Sequence, residues 1–221
     1  MIYAIIPARG GSKGVVGKNL RLVGGLPLLA HTIIDALEFT DNVYVSTEDK
    51  AIKEVAVLYG AKVIDRPDEL AQDISSADIA VEHALLSVGA NDNDIVVFMQ
   101  CTSPFRSSNE IRKAIGAFLS NRNTSMYSCY ALYPFVWTQN GYRHEYGITN
   151  RPNRQDKEPV YVEDGSFYIS YVKSYYENHC RLTGGATAWV HHRMYGLEID
   201  DDYDLEIANT IYGFYRSKGW I

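Results

Sequence analysis

The sequence predicts an α/β protein built on a doubly wound, mostly parallel sheet. Three observations carry this: short segments reading as continuous apolar runs, amphipathic stretches of helical period between them, and a glycine-rich loop directly after the first run. In order, "IYAIIP" (2–7) reads as a buried strand and "PLLAHTIIDALEF" (27–39) as a helix. "NVYVST" (42–47) is a strand, "KAIKEVAVLYG" (50–60) a helix closed by Gly60, and "AKVID" (61–65) a strand. "SSADIAVEHALLSV" (75–88) is a helix opened by serines, "DIVVFMQ" (94–100) a strand, "SSNEIRKAIGAFLSN" (107–121) a helix and "SMYSCYAL" (125–132) a strand.

The alternation then breaks. From Tyr133 to about Val162 the chain is polar and aromatic, carries Pro134, Pro152 and Pro159, and holds no sustained period. This stretch reads as an insertion of loops and short strands, and irregular segments of that length are usually functional or hold subunits together. Beyond it, "GSFYISYV" (165–172) and "TAWVHH" (187–192) read as strands, and "DYDLEIANTIYGFYRSK" (202–218) as a closing amphipathic helix. No internal repeat or second domain is visible, so one domain over 1–221 with an insertion at about 133–162 is expected.

Bulk properties narrow the function classes. A net charge of −6 and a pI near 5.5 argue against a dedicated binder of nucleic acid or anionic membrane. The three cysteines, Cys101, Cys129 and Cys180, are odd in number and widely spaced, which suggests neither a disulfide framework nor a zinc site. The first apolar stretch is too short for a signal peptide, and no run is long enough to span a bilayer. A soluble cytoplasmic protein is expected.

Against that acidic background the stretch "ARGGSKGVVGKN" concentrates Arg9, Lys13 and Lys18 among four glycines. It is not a P-loop: five residues separate Gly11 from Gly17, and Asn19 stands where a hydroxyl would bind metal. Nor do glycines at 10, 11, 14 and 17 satisfy the dinucleotide spacing of i, i+2 and i+5. A solvated turn and an anion cradle both fit the composition. Position favours the cradle, since ligands of open α/β sheets gather beyond the carboxyl ends of the strands.

Three further segments carry polar residues that a bare core does not need. In "DRPDELAQD" (65–73), Pro67 restricts Arg66 to extended backbone at the sheet's edge, as a ligand-binding or a salt-bridging arginine. In "MQCTSPFR" (99–106), a buried strand ends in Gln100, Thr102, Ser103 and Arg106, a set suited to a hydroxyl-rich ligand, while Ser107 or Ser108 would cap the next helix. In "GLEIDDDYDLEIA" (196–208), Glu198 and Asp200 are two apart on a predicted strand and share a face, which suits a pair holding Mg²⁺ against phosphate oxygens. Asp201, Asp202 and Asp204 are explained as acids in a first helical turn. His191 and His192, adjacent on a predicted strand, point to opposite faces and read as surface residues.

Taken together, "IPARGGSKGVVGKN", "RPDELAQDISSADIAVEHAL", "MQCTSPFR", "NRQD", "EDGSFYIS" and "IDDDYDLEIA" resemble the bacterial acylneuraminate cytidylyltransferases over nearly the whole chain. The opening motif is shared with related enzymes acting on octulosonate; the full set is more specific to nine-carbon acids. The resemblance implies a Rossmann-like nucleotidyltransferase fold, a homodimer formed through the insertion, and transfer of CMP from CTP to the anomeric 2-hydroxyl of a nonulosonic acid with Mg²⁺. It implies that Arg9, Ser12, Lys13 and Lys18 meet phosphates, that Asn19 and Arg66 lie at the cytosine, and that Gln100, Arg154 and Tyr161 serve the sugar. It places the metal at Asp200 and Glu198 and the catalytic charge on Arg9, Lys18 and Asp200. Relatives commonly carry Asp at the position of Glu198, Pro at that of Cys101, and Asn-Gly-Ala-Ile-Tyr where this chain has Asp164 to Tyr168. The last departure bears on the acceptor sugar, for which legionaminate, pseudaminate and octulosonate types are alternatives.

Overall fold

The computed structural model describes residues 1–221 apart from 13, 73–74, 122, 138 and 140–150. Strand β1 (Ile2–Pro7) lies at the middle of the sheet. It is followed by a two-stranded ribbon of β2 (Leu22–Val23) and β3 (Leu26–Pro27), helix α1 (Leu28–Leu37), β4 (Val43–Thr47), α2 (Lys50–Leu58) and β5 (Lys62–Asp65). Then come α3 (Ala77–Ser87), β6 (Ile95–Met99), α4 (Ser108–Ser120), β7 (Ser125–Leu132), β8 (Val160–Tyr171), α5 (Val172–Asn178), β9 (Thr187–His191) and α6 (Asp202–Ser217). Among the described residues, the main sheet has seven strands in the order β5-β4-β1-β6-β8-β7-β9. Every neighbouring pair is parallel except those of β8, which runs antiparallel to both β6 and β7.

Alternation along the central strands explains why helices cover both faces. Ala4 and Ile6 face one layer, with Leu29 and Ile33 of α1, Ile52 of α2, and Ile111 and Phe118 of α4. Tyr3 and Ile5 face the other, with Val81 and Leu85 of α3 and Tyr175 of α5. The helices begin where the sequence supplies caps: Asp49 for α2, Ser76 for α3, Ser107 for α4, and an Asp201/Asp204 capping box for α6.

A third apolar cluster bears most directly on function. Val15 of the opening loop, Phe105 beyond β6 and Ile199 before α6 are fully buried together with Val23, Leu28 and Leu205. Three loops from distant parts of the chain are thereby held at one end of the sheet.

Three expectations need correction. Residues 196–200 form no strand: a single ladder-like bond, Ile199 N–H to the Thr102 carbonyl at 2.7 Å, ties this extended segment to the loop after β6. The expected insertion is shorter than its composition suggests, because β8 already begins at Val160 and runs to Tyr171. The first four residues of β8, Val160–Glu163, are largely exposed and stand apart from the buried run that follows, and α5, seven residues long, is too short to show a period. His191 is buried against Asp164 rather than at the surface, while His192 is exposed.

Candidate functional site

The order of strands reverses at β1, where β4 lies on one side and β6 on the other. Beyond the carboxyl ends of these strands, where ligands of such sheets bind, lies a cleft of about 420 Å³. Arg9, Ser12, Lys18 and Asn19 line it from the opening loop. Arg66 enters from the end of β5, Gln100 and Thr102 from the end of β6, and Asp200 from the segment before α6. Of the residues expected at the site, these seven besides Thr102 share one cavity. Lys13 lies outside the described residues.

The opening loop owes its shape to contacts that its own sequence does not announce. The Gly10 N–H donates to Glu48 Oε1 at 2.7 Å, and Arg66 donates to Glu48 Oε2 from Nε at 3.1 Å and Nη2 at 2.5 Å. Glu48 thus joins the ends of β1, β4 and β5. Burial by itself would raise its carboxyl, but the bonds from Arg66 and the Gly10 N–H outweigh it and hold the group below its ordinary range. Arg66 is a buried salt-bridging arginine that also lines the cleft.

Farther along the loop, the Asn19 amide donates to the Arg9 carbonyl at 2.9 Å, and Asn19 itself is buried. Lys18 Nζ donates to the Ile199 carbonyl at 2.8 Å and lies 3.4 Å from Asp200 Oδ1. Gly14 packs so closely on the Asp200 carbonyl that any Cβ there would collide with it. The loop is thus pinned to the acidic segment by a backbone contact, a lysine and the buried pair Val15 and Ile199.

The facing wall is a polar network. Thr102 Oγ1 donates to Glu198 Oε1 at 2.9 Å. With the Gln100 amide oriented to match its neighbours, its nitrogen donates to Glu198 Oε1 at 3.2 Å and its oxygen accepts from Arg181 Nη1 at 3.0 Å. Gly165, in the left-handed region at φ 64°, lets the β8 backbone approach so near that a Cβ would stand 2.8 Å from the Gln100 amide and 3.2 Å from Glu198. Behind it, buried Asp164 accepts from Ser128 Oγ at 2.6 Å, from the Ser166 N–H at 3.1 Å and from His191 Nε2. Arg106, expected among the ligand-facing polar residues, is instead buried, bonding Thr32 Oγ1 at 2.8 Å and the Ser166 carbonyl at 3.0 Å.

Charge at the site is uneven. Burial raises the Glu198 carboxyl above its ordinary value; the Thr102 hydroxyl opposes this and the nearby Asp200 charge adds to it. Asp200 is 72% exposed at the mouth. Among the described residues no three His, Cys, Asp or Glu side chains gather in a metal-binding group, so these two carboxylates would depend on ligand oxygens to complete a cation's shell. Cys101, buried in the cleft lining, has its thiol pushed up to about 12 by burial, away from the thiolate form that a nucleophile needs.

Arg154 and Tyr161 stand apart from the cleft. Arg154 lies with its guanidinium 5.8 Å from the Tyr133 ring centre, and Tyr161 is 51% exposed on β8 opposite Ala131. Glu48, Asp164, Gly165 and Arg181 support the residues of the cleft without belonging to any of the four polar segments of the sequence. Only Asp164-Gly165, a turn-forming pair within an apolar run, carried a local signal; the others depend on partners remote in sequence.

Comparison with known proteins identifies the family and the fold. The chain is 34% identical to N-acylneuraminate cytidylyltransferase of Oncorhynchus mykiss over 94% of its own length, yet spans only 49% of that relative. It is 38% identical to CMP-N,N'-diacetyllegionaminic acid synthase of Legionella pneumophila, covering 80% of this chain and 81% of the relative. A CMP:2-keto-3-deoxy-manno-octonic acid synthetase solved with CTP superposes at a TM-score of 0.70 with 17% identity, over 96% of this chain and 98% of that one, a likeness of fold. Since the cytidylyltransferase family model also matches residues 3–135, strand β1 through β7, the chain belongs to the cytidylyltransferase family.

Proposed function

We propose that the protein transfers CMP from CTP to the anomeric 2-hydroxyl of a nonulosonic acid, releasing pyrophosphate. The observation that carries this reading is the two-sided cleft: cations and a glycine-rich backbone on one side, and the Gln100 amide, the Thr102 hydroxyl and the Asp200 carboxylate on the other, with Glu198 bonded to Thr102 behind them. Arg9, Ser12 and Lys18 are disposed to receive phosphate oxygens, with Asn19 and Arg66 toward the base. Gln100 and Thr102 are disposed to receive a hydroxyl-rich acceptor.

In-line attack of the sugar hydroxyl on the α-phosphorus gathers negative charge on the phosphoryl oxygens. Positioned cations offset that charge, each contributing on the order of 2–4 kcal/mol. Lys18, fixed by the Ile199 carbonyl, is the best placed of them, because it needs no reorganisation as charge develops. Asp200 and Glu198 fit a Mg²⁺ ion, since like charges held near each other, one partly buried, are relieved by a cation between them and bound phosphates. When bound, the ion would supply Lewis-acid stabilisation of the phosphoryl oxygens.

The acceptor is assigned to the nonulosonic class on the 38% identity to a CMP-N,N'-diacetyllegionaminic acid synthase and the 34% identity to an N-acylneuraminate cytidylyltransferase, while the departures at Asp164–Tyr168 leave the choice among acids to the test below. The enzyme is read as a homodimer joined through the surface carrying Tyr133, Trp137, Val160 and Tyr161, all exposed large side chains. Arg154, on that same surface, would then meet the carboxylate of an acceptor in the neighbouring cleft. CTP as donor and three free cysteines fit a reducing cytoplasm. No helix among the described residues is long and apolar enough to cross a membrane.

The test is pyrophosphate release from CTP and Mg²⁺ with N-acetylneuraminate, legionaminate-type, pseudaminate-type and octulosonate acceptors in turn. Release with a nine-carbon acid is expected. Release with octulosonate alone would move the acceptor class, and binding of CTP without release from any acceptor would leave only a nucleotide-binding subunit.

A further inference from the structure

Arg181 is not explained by the reaction as drawn so far. It follows α5, is not among the residues lining the cleft, and is held by several partners at once. Nε donates to Asp78 Oδ1 at 3.1 Å, Nη2 to Asp78 Oδ2 at 2.7 Å, and the Arg181 backbone N–H to Asp78 Oδ1 at 2.9 Å. Asp78 is further held by the Tyr175 hydroxyl at 2.7 Å. The guanidinium carbon lies 4.4 Å from the Phe98 ring centre and 4.9 Å from that of Tyr168. This grip fixes a rigid, planar fork whose remaining arm, Nη1, points at the Gln100 side chain 3.0 Å away.

An amide has two ends, and its neighbours decide which faces a ligand. Nη1 is a donor only, so it takes the amide oxygen, and the amide nitrogen is turned toward Thr102 and Glu198 at the cleft wall. We infer that Arg181 is a positioning residue for the acceptor substrate: by taking the Gln100 amide oxygen it sets the amide nitrogen on Thr102 and Glu198, and so fixes the Gln100–Thr102–Glu198 group at the wall of the acceptor subsite. A pair with Asp78 alone would need only one face of the fork; the arm to Gln100 is what extends it to the site. The inference rests on the proposed transfer to a sugar acid.

The test is a double-mutant cycle read as two KM values. Arg181→Lys keeps a positive charge beside Asp78 and loses the arm to Gln100. With the best acceptor, it is expected to raise the acceptor KM about tenfold while leaving the CTP KM within twofold, the loss of roughly one charge-assisted hydrogen bond. In a Gln100→Ala background the same substitution is expected to add nothing, because the amide it orients is gone. Should Arg181→Lys fold poorly, the paired variant Arg181→Met/Asp78→Asn removes both charges together, and the same selective rise in acceptor KM is expected. Equal shifts in both KM values, or a full additional effect in the Gln100→Ala background, would overturn the inference while the transferase reading stands. A wild-type protein that turns over no acceptor would overturn that reading itself, and this inference with it.

Discussion

The opening loop brings Arg9, Ser12, Lys18 and Asn19 to the cleft from one contiguous stretch, whereas the facing wall presents Gln100 and Thr102 and is backed by Gly165, Arg181 and Glu198 from three further segments. The two walls are also held differently. The loop is fixed through backbone: a glycine against the Asp200 carbonyl, an N–H on Glu48, a carbonyl receiving Asn19. The other wall is fixed through side chains that satisfy one another, and each loses its orientation if its neighbour is removed. A phosphate presents the same oxygens whatever the nucleotide, so a backbone cradle suffices. A sugar acid must be told from others by the placement of individual hydroxyls, and that requires oriented side chains.

This contrast can be broken at either wall. The largest effect is expected where the walls meet: Asp200→Asn should lower kcat by about 10³-fold or more with the fold intact by circular dichroism, since it weakens charge stabilisation that exists chiefly in the transition state. Near-normal Mg²⁺-dependent turnover would remove Asp200 from the metal site. Gly14→Ala should cost about 10²-fold in kcat/KM for both substrates alike, because the added methyl collides with backbone and pries the loop from the acidic segment. An effect confined to the acceptor would show that the loop is not a shared support. Arg154→Ala is expected to raise the acceptor KM about tenfold and leave that of CTP unchanged, on the loss of a carboxylate partner; equal changes in both would refute its assignment.

The smallest effect is one of stability. Glu48 is held below its ordinary carboxylate range in the folded protein, so its contribution is complete above the unfolded value and disappears as pH falls through the folded one. Between pH ~7 and ~3, the melting temperature of the wild type should therefore fall more steeply than that of Glu48→Gln. Parallel curves would mean that the Arg66–Glu48 pair is not what ties the loop to the sheet. A mass near that of a 24.9 kDa monomer by light scattering would likewise count against the dimer through Trp137 and Tyr161.

Legibility followed the same division. The central strands were readable because a sheet covered on both faces demands unbroken apolar runs, as Ile95–Met99 is buried throughout. Strand β8 was read from residue 165 onward but not from Val160, because its first residues carry no consistent face to bury. His191 was misread since a strand pattern tells that neighbours point to opposite sides but not which side is covered; here Asp164 waits on the side of His191. Arg66 could be read as a ligand or as a salt bridge, and the structure made it serve Glu48 while it lines the cleft.

The amino-acid sequence by itself determined the alternation of strands and helices, the caps, and a loop rich in glycine and cations after β1. Each of these depends on residues a few positions apart, where backbone geometry and hydrogen-bonding chemistry act locally. Only the tertiary structure decided that Val15, Phe105 and Ile199 share one core, and that Gln100 lies between Glu198 and Arg181. Those arrangements arise from burying apolar surface contributed by distant loops and from satisfying buried polar groups with whichever partners the sheet order brings near, and neither requirement leaves a period or a spacing in the chain.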